Sequence, residues 1–103
     1  MLTKEQINSI KKAISEDDDR MPVILGVLGD PGRYRIFKIL MDHHEICVTD
    51  IASIIGITVS AASQQLRVLE RIGLVRKERM GQMICYEVRD DDPLVKSLCK
   101  LFS

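Results

Sequence analysis

The sequence predicts a mainly α-helical fold with one β-hairpin in its second half. Five segments before residue 74 carry apolar residues at helical spacing and are separated by Gly, Pro or Asp. Residues 74–89 instead read as two strands around Gly81, and Asp92-Pro93 then starts a last helix. The chain has 103 residues, the size of one small domain, so residues 1–103 are treated as a single domain.

The N-terminal segment, residues 1–20, is expected to be a helix followed by an acidic linker. Thr3 and Gln6 fit a capping box, which predicts a helix from about Lys4 to Ser15. The apolar stripe of this helix is Ile7, Ile10 and Ile14. The run Glu16-Asp17-Asp18-Asp19 is interpreted as a solvated connector and not as a carboxylate metal site, since nothing nearby supplies further ligands.

Two core helices are expected next. Met21 to Leu28 reads as a short buried helix entered through Pro22. Asp30 as N-cap and Pro31 at the first helical position begin the second, which runs to about Asp42. Its predicted buried residues are Ile36, Phe37, Ile39, Leu40 and Met41.

Residues 48–73 predict a helix-turn-helix. Thr49 is the expected cap of its first helix, and Gly56 is the expected end. The predicted buried face of this helix is Val48, Ile51, Ala52 and Ile55. Thr58 then caps a second helix that ends before Gly73, so a tight turn containing Gly joins two short helices.

The second helix of this motif carries two distinct faces. Its apolar stripe is Val59, Ala62, Leu66 and Leu69. The opposite face gathers Ser60, Ser63, Gln64, Arg67 and Arg71. Hydroxyls, amides and arginines can pair with base edges and phosphates, which favours a DNA recognition helix over an ordinary surface helix of mixed polarity.

The hairpin over residues 74–89 would act as a wing beside that helix. Lys77 and Arg79 near its tip are expected along the sugar-phosphate backbone, although a merely solvated hairpin is the alternative. Residues 60–84 hold five basic and two acidic residues, a net charge of +3 in a chain whose formal charge is zero. The return strand is expected to point Ile84, Tyr86 and Val88 inward, which would leave Cys85 outward and accessible.

The last helix, residues 92–102, has a wide apolar stripe: Leu94, Val95, Leu98, Leu101 and Phe102. A domain of this size can hardly cover such a stripe by itself. The stripe therefore needs to pack against the first helix or against a second subunit. A homodimer is therefore predicted. Its expected interface residues are Ile7, Ile10, Ile14, Leu94, Leu98, Leu101 and Phe102.

Several motifs in order resemble the ArsR/SmtB family of winged helix-turn-helix repressors, over about Leu28 to Phe102. They are Leu28-Gly29-Asp30-Pro31-Gly32-Arg33, Glu45-Ile46-Cys47-Val48-Thr49-Asp50, Ser63-Gln64-Gln65-Leu66 with Leu69, and Gly73-Leu74-Val75 before the Gly81 wing. The resemblance implies a homodimeric repressor with a double-stranded DNA operator. It departs at Gln65, where His is common. The predicted DNA-binding residues are Thr58, Ser60, Ala61, Ser63, Gln64, Gln65, Arg67, Arg71, Lys77, Arg79 and Gln82.

The resemblance also raises the question of what signal releases the DNA. Many family members sense metals through two thiolates, but Thr49 stands where the second would be, and residues 90–103 hold no histidine. A soft divalent metal ion on His43, His44, Cys47 and Cys99 remains open, against a structural role for Cys47 and loop positions for the histidines. If thiol-redox or metal sensing exists, Cys47 and Cys99 are expected to matter and Cys85 is not.

Other classes find little support in the sequence. The N-terminus lacks a secretory hydrophobic region, the apolar runs are too short to span a bilayer, and three cysteines cannot all pair in one chain, which favours a cytoplasmic protein. No phosphate loop or nucleophile elbow suggests an enzyme. A winged-helix module that binds protein or RNA is the alternative, with only four aromatic residues for base stacking.

Overall fold

The computed structural model describes residues 1–16 and 19–103, which form six helices and a three-stranded sheet. The elements are α1 Lys4–Ser15, α2 Arg20–Leu28, α3 Pro31–His43, β1 Ile46–Cys47, α4 Val48–Ile55, α5 Val59–Arg71, β2 Val75–Met80, β3 Met83–Val88 and α6 Pro93–Phe102. Asp17 and Asp18 of the predicted acidic connector lie outside the described residues.

The predicted helix starts are confirmed at four helices. The Thr3–Gln6 capping box is present at α1. Asp30 accepts from the backbone N–H of Arg33 at 3.0 Å, and Asp92 accepts from that of Leu94 at 2.9 Å. Thr58 caps α5 in the same way. Each cap satisfies an N–H that has no partner within the helix.

The core lies between α3, α4, α5 and the sheet. Ile36, Phe37 and Leu40 of α3 are buried against Leu66 and Leu69 of α5, as predicted. The expected burial of α2 holds on one side of the helix: Ile24 and Leu28 are buried, whereas Val23 and Leu25 are exposed. A nine-residue helix on the surface of a small domain packs only one side.

Thr49 does not cap α4, contrary to the prediction. The helix begins two residues earlier, at Val48 with Cys47 as its N-cap, because β1 leads straight into it. Gly56 ends α4 with φ +83°, in the left-handed region that favours glycine, as the prediction required.

The sheet has a third strand that the sequence did not reveal. β1 has only two residues and pairs with β3, so the strand order is β1-β3-β2 and β3 is central. The expectation of an outward, accessible Cys85 is therefore wrong. Cys85 is 0% exposed and forms a disulfide with Cys47, its direct neighbour in the β1–β3 register.

The two terminal helices differ in how they are packed. α1 has no buried residue, and Ile7, Ile10 and Ile14 are exposed on it. In α6, Leu98 is 3% exposed within its own chain, so we withdraw it from the predicted dimer interface. Leu101, by contrast, is 73% exposed. No helix in the described part of the chain is both long and apolar enough to cross a membrane.

Candidate nucleic-acid interface

Helix α5 presents a polar face to solvent and an apolar face to the core. Thr58 Oγ1 accepts from the backbone N–H of Ala61 at 3.0 Å and thereby sets the start of the helix. Ala62, Leu66 and Leu69 are buried as predicted, but Val59 is wrong as a stripe residue, because it lies in the first turn and is 47% exposed. The exposed polar side chains are Ser60, Gln64, Arg67 and Arg71.

Gln65 faces away from this exposed surface. Its side chain is half-buried, and its Oε1 accepts from Arg33 Nη1 at 3.2 Å while its Nε2 donates to Asp30 Oδ2 at 3.4 Å. Arg33 is itself held by the bond from its Nε to the carbonyl of Val27 at 2.8 Å. This network joins the recognition helix to the start of α3, so Gln65 fixes how α5 sits on the core.

The wing supplies the second positive element. Lys77 and Arg79 of β2 are exposed near the tip, where Gly81 has φ +65°. Arg76 is different because its guanidinium pairs with Glu87 at 2.7 Å and with Asp91 at 3.4 Å. The hydrogen bond to Glu87 is also the main cause that raises the pKa of Arg76. Lys77 and Arg79 are therefore the wing cations that form no ion pair within the described part of the chain.

The recognition helix, the wing and the start of α4 meet at one cavity of about 240 Å³. Its lining residues are Cys47, Val48, Thr49, Val59, Ser63, Gln82, Met83 and Ile84. Predicted DNA-binding residues Ser63 and Gln82 thus face each other across the space between α5 and the wing. The wing is positioned by the packing of β2 on α5 and of β3 on β1, α3 and α4.

The residues proposed for a metal do not fit one. Cys47 is in the disulfide, whereas His43, His44 and Cys99 line a separate cavity of about 470 Å³. Across residues 1–16 and 19–103, no three His, Cys, Asp or Glu side chains group closely enough to hold a metal ion. Burial, with a smaller contribution from Asp90, raises the pKa of the free Cys99 thiol, which disfavours the thiolate that a metal requires.

Sequence reasoning missed two features of this region. The Asp30–Arg33–Gln65 network joins residues more than 30 positions apart, and no periodicity could have indicated it. The Cys47–Cys85 pair depended on recognising β1, whose two residues are too short to show alternation. The only available signal was the position of Cys47 immediately before a helix start.

A helix-turn-helix whose second helix exposes polar and basic side chains, flanked by a basic hairpin, defines a winged helix-turn-helix DNA-binding protein. The family model described as bacterial regulatory protein, arsR family, matches residues 30–77. A transcriptional repressor SmtB homolog from Synechocystis sp. is 32% identical over 89 residues, covering 84% of this chain and 67% of that protein. The chain belongs to the ArsR/SmtB family of DNA-binding transcriptional regulators.

Solved structures agree with this assignment. HlyU from Vibrio cholerae has a TM-score of 0.72 at 29% identity, covering 81% of this chain and 87% of that one. The homodimeric winged helix-turn-helix DNA-binding domain of a Mycobacterium bovis protein has a TM-score of 0.65 at 26% identity, covering 84% of each chain.

Proposed function

We propose that the protein is a homodimeric repressor that binds an operator through α5 and the wing. The observation that carries this proposal is the exposed face of α5, where hydroxyl, amide and guanidinium groups stand clear of the core beside the exposed wing cations Lys77 and Arg79. The proposed DNA contacts are Thr58, Ser60, Ala61, Ser63, Gln64, Arg67, Arg71, Lys77, Arg79 and Gln82. Gln65 is assigned to positioning instead.

The dimer is proposed from the surface that one chain leaves uncovered. The isoleucine stripe of α1 and Leu101 of α6 are exposed, and water-facing apolar stripes of this size mark interaction surfaces. The Mycobacterium bovis domain is a homodimer. A twofold axis would present two copies of α5, so the operator should be an inverted repeat with half-sites about one helical turn, or a small multiple, apart.

The role is proposed to be regulatory and not enzymatic, at chromosomal DNA in the cytoplasm. The relative from Synechocystis sp. is named as a transcriptional repressor. Metal release of the DNA is not proposed, because the thiolate of Cys47 is occupied and the remaining candidate ligands do not converge with it.

The alternative to an operator-binding protein is a winged-helix module that binds RNA or protein. Stacking on RNA bases needs exposed aromatic faces, but Phe37 and Tyr86 are buried. Tyr34 and Phe102 contact each other edge to face, with ring centroids 5.6 Å apart. Of the four aromatic residues only Tyr34 is exposed, which is too few for a base-stacking platform, and duplex DNA is the partner that the polar face of α5 favours.

Fluorescence anisotropy tests the proposal. Full-length protein should bind a duplex selected from a random-sequence pool, with an affinity that falls steeply as salt rises, because bound lysines and arginines release counterions from phosphate. A structured RNA of equal length serves as the competitor. Tighter binding to RNA, or no preference of the protein for any selected duplex, would contradict operator binding.

A further inference from the structure

The Cys47–Cys85 disulfide closes a covalent ring around the DNA-binding half of the chain. The two cysteines are 38 positions apart, and the ring between them contains α4, α5, β2 and the wing tip. Every residue proposed to contact DNA, from Thr58 to Gln82, lies inside it. The disulfide therefore joins the start of the helix-turn-helix to the return strand of the wing.

β1 is joined to the wing by a short strand pair and by the disulfide. β1 contributes two residues, with the register Ile46 to Tyr86 and Cys47 to Cys85. A two-residue strand pair is weak by itself, so the disulfide adds a covalent constraint between the start of α4 and β3, beside the packing of Val75 and Tyr86 in the core. Breaking the bond removes this covalent constraint and leaves only noncovalent packing, of β2 on α5 and of β3 on α3 and α4, to hold the wing.

The two sulfur atoms differ in access. Cys85 is fully buried, whereas Cys47 is half-buried and lines the cavity between α5 and the wing. Val59 and Met83, which also line that cavity, are each nearly half exposed, so a small reductant can enter there. The attacked atom in thiol–disulfide exchange is then Cys47 Sγ, and Cys85 is the leaving thiolate.

We propose that this disulfide is a redox switch for operator binding, a proposal that rests on the proposed function above. In the oxidised form the wing is held beside α5 and the operator is bound tightly. A small dithiol reduces the bond and lowers the affinity. A protein that acts on chromosomal DNA is expected inside the cell. Disulfides of intracellular proteins are usually transient and serve redox sensing, not structure.

The exchange is balanced in atoms and electrons. One thiolate of the dithiol attacks Cys47 Sγ, the Cys47–Cys85 bond breaks, and Cys85 leaves as a thiolate and takes up a proton. The second thiolate of the dithiol then attacks the dithiol sulfur that is bonded to Cys47 Sγ. Cys47 leaves as a thiolate and takes up a proton. The protein gains two electrons and two protons, and the dithiol becomes a cyclic disulfide.

Cys99 provides the matched control. It is the free cysteine of the chain, it lies on α6, and it lines a cavity that contains neither Cys47 nor Cys85. Replacement of Cys99 should leave both the disulfide and its effect on DNA binding intact.

A DNA duplex is first selected from a random-sequence pool with an equal mixture of the oxidised and the reduced protein. The affinities of the oxidised and the dithiothreitol-reduced protein for this duplex are then compared by fluorescence anisotropy. For wild type and Cys99→Ser, reduction should raise Kd about five-fold or more. Cys47→Ser and Cys85→Ala should bind weakly in either condition and show no response. Cys85→Ala keeps the buried position apolar and Cys47→Ser changes only a half-buried one, and circular dichroism checks that each variant is folded.

A second measurement follows from linkage. If the oxidised form binds five-fold tighter, saturating duplex must raise the ratio of disulfide to dithiol by the same factor at a fixed dithiothreitol ratio, as read by alkylation and mass spectrometry. A wild-type Kd that changes less than two-fold on reduction, or a response that survives in Cys47→Ser, would overturn the switch while leaving operator binding intact. Failure of both forms to bind any duplex would overturn the proposed function and the switch together.

Discussion

At the scale of single residues, Gln64 and Arg67 are the side chains best placed to read bases. Both are exposed on the solvent side of α5, about one turn apart, and within residues 1–16 and 19–103 neither side chain is held to the core by a hydrogen bond or an ion pair. Replacing either by Ala should weaken operator binding by about 1 to 3 kcal/mol, the cost of losing a good base contact. Anisotropy titration of each variant measures this loss.

The control for these variants is Lys96→Ala, an exposed change on α6 away from the recognition helix. Thermal melting followed by circular dichroism should give wild-type stability for all three proteins. If Gln64→Ala and Arg67→Ala bind with wild-type affinity, the reading face has been assigned to the wrong side chains.

Gln65 should affect binding indirectly, through Arg33. Gln65→Ala removes the hydrogen bonds to Arg33 and Asp30 that hold α5 on α3, and a bond of this kind contributes about 1 kcal/mol. Affinity should fall several-fold with an unchanged salt dependence. Arg33→Ala should produce the same loss, and the double variant should bind no worse than either single one. Additive losses would instead indicate that Gln65 contacts DNA itself.

At the scale of elements, the wing should act through charge. Lys77→Ala and Arg79→Ala should each weaken binding to all sequences alike, because phosphate contacts carry no sequence information. The slope of log K against log salt should become shallower by about one for each lost contact. Arg76→Ala is the matched comparison, since its guanidinium is already paired within the chain. A slope that is unchanged in both wing variants would place the wing away from the DNA backbone.

The start of α6 should respond to acid. The hydrogen bond from Arg20 first, and then the backbone N–H of Leu94, hold the pKa of Asp92 below its usual value. Because the folded pKa lies below the unfolded value of about 3.9, the stabilisation is complete above that value and is lost as pH falls through the folded pKa.

Asp92→Asn tests this pH dependence because asparagine still caps a helix but carries no charge. The variant should melt below wild type at pH 7, and the difference should vanish in strong acid. Asp42→Asn, an exposed change on α3, serves as the reference for replacing one surface carboxylate by an amide. A constant difference across the whole range would mean that the ion pair with Arg20 contributes nothing.

The helices were predictable because local chemistry specifies them. Caps such as Thr3, Asp30, Thr58 and Asp92 satisfy backbone groups within three residues, so sequence spacing alone reveals them. Apolar periodicity located the core helices. The strand β1 was not predictable, because its two residues acquire their structure from pairing with β3, 38 or more positions away.

The site divides in the same way. The exposed polar face of α5 followed from its periodicity, since Ala62, Leu66 and Leu69 are buried and the opposite face must then meet solvent. The inward and outward alternation of β3 failed at Cys85 because that strand is central, with β1 on one side and both α3 and α4 against it. Alternation describes a sheet with one covered face, and here both faces are covered.

At the scale of the whole molecule, the dimer decides whether two recognition helices can act together. Ile10 on α1 and Leu101 on α6 are exposed in the single chain, while Leu98 is buried in it. Ile10→Asp and Leu101→Asp should therefore yield folded monomers, because burial of an unpaired carboxylate in the interface costs several kcal/mol. Leu98→Asp should unfold the chain instead. Sedimentation velocity and circular dichroism separate these outcomes, and the folded monomers should bind an inverted repeat far more weakly than wild type. An intact dimer in both surface variants would show that the subunits associate through another face.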